Sequence, residues 1–406
     1  MSGMRLDGIA IWDGVRETGP GPGTIGWDGD RIDVVEAWDD GDPRPARWPE
    51  LCVVPGLVDT HVHLVGDAGP GTPDFATWPL VTPRDEQVLH GVAHAQRAMR
   101  AGVTTLRDLA GDEAQIALRR AFDSGILAGP RLLVHGVVGM TAGHNDLFTP
   151  AAHPFRKPVA DGPDECRKLV RTWARAGMDG IKLTTSGGVL SMGDKNTWRN
   201  YTTREIEATV DEAHALGMRV AAHAHSEDGV QTALDAGVDS IEHATLMSGA
   251  QAARIAAGRI PVAPTLLINE AIAAARVPVT PEARDKAAAL VAVRDGLLRH
   301  AAGAGVPFVL GTDANGHHVA FGDQMAEVVR MTEVLGLGAE AALRAATSEA
   351  ADALGLAGKV GRLAPGFGAD LLVVRGRPWQ RIADLTPDNL VAVVSRGEVV
   401  AGELPG

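Results

Sequence analysis

The chain has 406 residues, 45% apolar and 22% charged, the make-up of an ordinary globular protein long enough to bury a large core. With 38 Lys and Arg against 51 Asp and Glu, its net charge of −13 repels phosphate backbones and anionic lipid, which argues against nucleic-acid and membrane-surface partners. The 2 cysteines, Cys52 and Cys166, supply neither a disulfide framework nor a thiolate zinc site. The opening stretch MSGMRLDGIAIWDG lacks a basic n-region and an apolar h-region, and no apolar run of about 18 residues follows. A cytoplasmic protein is expected.

Residues 1–54 read as short alternating strands separated by Gly and Asp turn signals, as in LDGIAIWDG and GTIGWDGDRIDVVEAW. From about residue 55 the texture changes to short apolar runs alternating with helical patterns. The predicted strands lie at 57–64, 103–109, 131–138, 180–185, 219–225, 240–245, 260–267 and 307–313. Between them run helix formers such as EQVLHGVAHAQRAMRAG and TREIEATVDEAHALG, the second opened by Thr202 and Thr203 with Glu205 behind them and closed by Gly217. Helix–Gly–strand junctions recur as AGVTTL, AGMDGIKL, LGMRVAAH, AGVDSIEH and AGVPFVL, the form of a repeating βα unit. Eight such units predict an α/β protein with a (β/α)₈ TIM barrel over 55–357. From Gly358 the chain returns to β texture, so 358–406 is expected to join 1–54 in a small composite β domain. There is no dinucleotide fingerprint and no Walker-type loop.

Active sites of such barrels form at the C-terminal ends of the strands. The first strand ends in His61-Val62-His63, and residues two apart point to the same face, so both imidazoles enter the barrel mouth. Alone, the pair is as compatible with a structural role as with metal ligation. His223 ends the fifth strand, His243 the sixth and Asp313 the eighth, and together these residues make a converging ligand set. Lys182 sits within the fourth strand, where desolvation favours its neutral amine. It either takes up CO₂ as a carbamate that bridges two dications, or pairs with a buried acid such as Asp313 or Glu242. His225, two residues beyond His223, is either a supporting group or a loop residue. His317 and His318 are expected to be solvated, and His90, His94, His214 and His300 to lie on helix surfaces. Phe75 and Trp78, in the long Gly- and Pro-rich loop after His63, make either an aromatic wall over the mouth or a loop core.

With these residues in place, the chain resembles the amidohydrolase superfamily, through His61-x-His63, the strand lysine, His223, His243 and Asp313. The segments PGLVDTHVHL, GVTTLRDL, IKLTTSGGVLS, VDEAHALGMRVAAHAH, AGVDSIEHATLM, GTDA and GADLLVV resemble its branch of zinc-dependent prolidases and acyl-amino-acid carboxypeptidases. The resemblance implies that the terminal β domain is a sandwich and that two zinc ions are held per chain. His61, His63 and Asp313 would bind one, His223 and His243 the other, and carbamylated Lys182 would bridge them. It further implies amide hydrolysis of a dipeptide or N-acyl amino acid by a hydroxide between the zinc ions, with Asp313 carrying the proton. His144, in GMTAGHND, and Tyr201 would contact the substrate carbonyl or carboxylate, although Ala142 and Asn145 stand where the family often has glycine. The expected partners are a small-molecule substrate and further copies of the chain in a homo-oligomer. Competing readings are a hydrolase of a carbamate, urea, lactone or xenobiotic amide, a mononuclear imidazolonepropionase- or deaminase-like enzyme, and a barrel that has lost its metals. The deaminases place a glutamate where this chain has Ser226, and those mononuclear relatives usually lack the bridging lysine.

Overall fold

The computed structural model describes residues 3–39, 42, 44–65, 77–153 and 156–406, and two seven-stranded sheets organise them. The N-terminal strands are β1 (Met4–Ile11), β2 (Gly23–Asp28), β3 (Arg31–Ala37) and β4 (Trp48–Pro55). The central strands are β5 (Leu57–Val62), β6 (Val103–Gly111), β7 (Arg131–Val138), β8 (Gly180–Thr184), β9 (Arg219–Ala224), β10 (Ser240–His243) and β11 (Val262–Ala263). The last three are β12 (Leu371–Arg375), β13 (Leu390–Ser395) and β14 (Glu398–Gly402).

Strands from the two ends of the chain share one sheet, in the order β14-β13-β12-β4-β1-β2-β3. Antiparallel pairing of β12 with β4 makes the join, for example Val373 opposite Val53. Leu6, Ile9, Ile11, Ile25, Trp27, Ile32, Val53, Leu371 and Val373 bury together on this sheet, the apolar half of the alternation that marks these segments as strands. The β13–β14 hairpin turns through Arg396 and Gly397, both with positive φ, the conformation a two-residue hairpin needs.

The second sheet is parallel and runs β5 to β11 in chain order, with helices packed between successive strands. The helix Thr203–Ala215 opens with the expected capping box, in which Thr202 and Glu205 satisfy each other's backbone N–H. The predicted strand at 307–313 closes the barrel without forming a ladder of its own: Phe308 bridges Val262 and Ala314 bridges Val62. Further hydrogen bonds run from Val309 N to Val262 O (2.9 Å), from Thr60 N to Leu310 O (2.9 Å) and from Asp313 N to His61 O (2.8 Å). The predicted strand 260–267 is likewise reduced to Val262–Ala263. Left-handed backbone at Thr265 (φ +47°) and Asp313 (φ +57°) ends both segments, a geometry that ladder pairing does not admit.

Asp59 fastens the closing segment to β5. Its carboxylate, fully buried, accepts hydrogen bonds from His61 N (3.1 Å), Thr312 N (3.1 Å) and the Thr312 hydroxyl (2.6 Å). Asp59→Ala leaves these buried donors without an acceptor, and each such loss costs about 1–3 kcal/mol. The variant is expected to unfold at clearly lower urea concentration than the parent; an unchanged midpoint would show that the seam holds without Asp59.

Candidate metal centre

Six side chains that converge at the C-terminal end of the barrel fall into two groups of three among the described residues. One is His61, His63 and Asp313, the other His223, His225 and His243, and within each the candidate ligand atoms lie within 4.8 Å of one another. Asp313 Oδ1 is 2.9 Å from His63 Nε2 and 3.6 Å from His61 Nε2. The groups adjoin, with the rings of His61 and His243 centred 5.2 Å apart. Each position follows from its strand. On β8 and β9 the inward residues alternate, which brings Lys182 and His223 into the barrel, and Thr184 pairs with His223. On β10 Glu242 takes the inward position, and a left-handed turn at His243 (φ +70°) carries the next side chain to the mouth as well. Non-glycine residues with such backbone cost free energy and concentrate at functional sites.

The electrostatics suit cation binding. Burial pushes His61 down to about 4 and His225 to about 3, and holds His223 and His243 well below the usual imidazole value, so the rings are neutral and keep a lone pair. Burial also lowers Lys182 to about 8, although Glu242 and Asp313 oppose it. Asp313 is pushed up by burial but pulled down further by His61, His63 and Lys182, to about 2, and is ionised.

Beneath the ligands lies a buried charge network. Arg107, on β6, donates to Glu242 Oε1 (2.7 Å), to the Ser240 hydroxyl (3.2 Å) and to Thr60 O (2.6 Å). The other oxygen of Glu242 accepts from His61 Nδ1 (2.9 Å). A carboxylate on Nδ1 places the proton there and leaves Nε2 bare on the side of Asp313, the tautomer a metal ligand requires. His225 Nδ1 bonds the Thr245 hydroxyl (2.8 Å) and His243 Nδ1 the Thr265 hydroxyl (2.7 Å), which orients those rings too. The donor set therefore fits divalent cations: imidazoles, of which those of His61, His225 and His243 have Nδ1 held by a partner, one carboxylate, and a desolvated amine whose charge acts on members of both groups.

The structure departs from several sequence expectations. Lys182 makes no ion pair among the described residues, because Glu242 is taken by Arg107 and His61 and Asp313 by His63. His225 is buried within the second histidine group rather than supporting it from a loop. The ring of His144 stacks on His223 at 4.6 Å. Tyr201 is buried, and burial pushes its hydroxyl far above the usual phenol value. Trp78 is buried edge-on to His90 at 5.1 Å, and Phe75 lies outside the described residues. His94 is buried rather than on a helix surface, because it falls on the face that carries Gln87, Gly91 and Ala98, and it stacks on Phe321. His318 is also buried. Ser226, in the place of the deaminase glutamate, caps the helix Glu227–Ala236. Sequence reasoning missed Arg107 and Asp59, and named Glu242 only as a partner for Lys182 rather than for Arg107 and His61. The available signal was charge inside apolar strands, LRDL, SIEH and LVDTH.

The model of the amidohydrolase family matches residues 52–400. An ochratoxinase of Aspergillus niger is 29% identical over 396 residues, covering 92% of this chain and 80% of that protein. Among solved structures, a Xaa-Pro dipeptidase with methionine bound in its active site is 32% identical with a TM-score of 0.86, covering 98% of this chain and 99% of the other. A prolidase in complex with N-methylphosphonate-L-proline is 28% identical with a TM-score of 0.88, covering 99% and 100%.

Glu242→Gln removes the counter-charge of Arg107 and the acceptor that orients His61. Breaking a buried pair costs about 3–5 kcal/mol, and losing a ligand's outer partner typically weakens metal binding about 10–100-fold. Urea unfolding together with zinc competition against a chelator is expected to show both losses. Parental values in both would detach the network from the metal centre.

Proposed function

Since the chain belongs to the amidohydrolase family and is a metal-dependent hydrolase of carbon–nitrogen bonds, we propose that it cleaves the amide bond of a dipeptide or N-acyl amino acid, using two zinc ions. One observation carries this reading: two adjacent ligand groups stand at one barrel mouth with a desolvated lysine whose charge acts on members of both. The dipeptidase, prolidase and ochratoxinase relatives support the substrate class. In this reading His61, His63 and Asp313 would hold one ion, His223 and His243 the other, and carbamylated Lys182 would supply an anion to both. His225 lies close enough to the second group to share in it. When bound, such ions lower the pKa of water toward about 7 and polarise a carbonyl oxygen.

The chain's own residues do the rest. Asp313, ionised and only partly exposed, accepts the proton released by the attacking water and returns it to the departing nitrogen. Amines leave poorly without a proton, which makes this transfer decisive for amides. Glu242 and Arg107 keep His61 aimed, and Thr265 does the same for His243. Lys182, with its amine desolvated, would add to CO₂ through its nitrogen lone pair and release one proton to solvent, giving a carbamate anion that two cations could share.

A screen of the zinc-loaded protein against dipeptides, N-acyl amino acids, carbamates, ureas and lactones is expected to find turnover in the first two classes. Turnover confined to the others would replace the substrate assignment. With an active amide in hand, Asp313→Asn is expected to retain zinc while kcat falls by about 10²–10⁴, with a smaller fall on an activated ester. Equal losses on amide and ester would remove the proton-carrying role. Lys182→Ala is expected to lose metal and activity and to recover part of both with added short carboxylic acids; full metal content in that variant would refute the bridge.

A further inference from the structure

The loop between β8 and the helix Thr203–Ala215 carries a buried chain of polar contacts that ends on His144. His144 Nδ1 lies 2.7 Å from the Ser191 hydroxyl, which lies 2.8 Å from both carboxylate oxygens of Asp194. Asp194 pairs with Lys286 (2.7 Å) on the helix Pro281–Gly303 and accepts from Gly188 N (3.1 Å). Lys286 also donates to Ser191 O (2.8 Å) and pairs with Glu282 (2.8 Å), which accepts from Gly193 N (2.9 Å). Ser191 and Asp194 are buried. The ring of His144 lies directly against Gly188, where a Cβ would come within 1.9 Å of it, and its other face stacks on His223.

The order of donors in this chain follows from chemistry. Asp194, in an ion pair with Lys286, only accepts, and a hydroxyl gives its single hydrogen preferentially to such an acceptor. The Ser191 oxygen then offers a lone pair to His144, so Nδ1 of His144 is the donor. We propose that Asp194, acting through Ser191, fixes His144 in the tautomer with hydrogen on Nδ1 and a bare Nε2, held against His223 at the edge of the metal centre. Asp194 and Ser191 are thus positioning residues. A bare Nε2 accepts a hydrogen bond and cannot donate one to a carbonyl oxygen. Resting on the reading of this mouth as an amide-hydrolase site, the inference makes His144 the partner of a substrate N–H, such as the ammonium of a dipeptide or the amide of an N-acyl amino acid.

The test is a long-range ¹H–¹⁵N spectrum of the zinc-loaded protein labelled at histidine, with the His144 signals identified from their absence in His144→Gln. The parent protein is expected to show hydrogen on Nδ1 of His144. Ser191→Ala and Asp194→Asn are expected to lose that preference, and Ser191→Thr, which keeps the hydroxyl, to retain it. Hydrogen on Nε2 in the parent overturns the proposal, as does an unchanged Nδ1–H signal in both Ser191→Ala and Asp194→Asn. Should one variant fail to fold, the parent spectrum and the other variant still decide. Because the spectrum needs no substrate, failure of the tautomer is distinguishable from failure of the substrate assignment, which the hydrolysis screen reads separately.

Discussion

Two opposite charges, Arg107 and Glu242, sit 2.7 Å apart inside the barrel with almost no access to solvent. Neither could remain there alone, since an unpaired buried charge costs far more than a fold of ordinary stability can supply. Each is also fully occupied: the guanidinium reaches the Thr60 carbonyl and Ser240, and the carboxylate reaches Ser240 and His61. This arrangement ties β5, β6 and β10 at one level and decides which nitrogen of His61 faces the mouth. Asp59 performs the matching service at the seam, where the closing segment brings Asp313 back to His63. The inner part of this barrel is therefore polar on the side that carries the ligands, and the ligand set is only as well placed as the ion pair beneath it.

The strand ends show a second constraint. His243, Thr265 and Asp313 all adopt left-handed backbone, and two of the three are candidate ligands while the third bonds the ring of His243. These conformations persist because the surroundings hold them. Asp313 N donates to His61 O, and Glu327, buried on the helix Gln324–Leu335, accepts from Leu266 N and Leu267 N just after Thr265. Strain there turns side chains toward the mouth that a regular strand would point elsewhere.

Much of this was legible in the residues. The repeated helix–Gly–strand junctions announce parallel βα units, and the family motifs point to His61, His63, Lys182, His223, His243 and Asp313 as candidates because strand ends in such a barrel converge. The rest depended on contacts between distant segments. Glu242 and His243 are neighbours in sequence, so alternation would send them to opposite faces; only the left-handed turn puts both inside. The shortening at 260–267 and 307–313 has the same cause, since no propensity forecasts positive φ at Thr265 or Asp313. His94 was misplaced because a histidine on a helix carries no mark of which face packs.

The proposed reaction requires two metal ions, one in each group at the barrel mouth. Anomalous diffraction from crystals of protein purified without chelator, collected on both sides of the zinc absorption edge, addresses it most directly. The account predicts two peaks, one within bonding distance of His61, His63 and Asp313, the other of His223 and His243, with continuous density from Lys182 between them. A single peak, or two peaks with Lys182 bonded to neither, would contradict it.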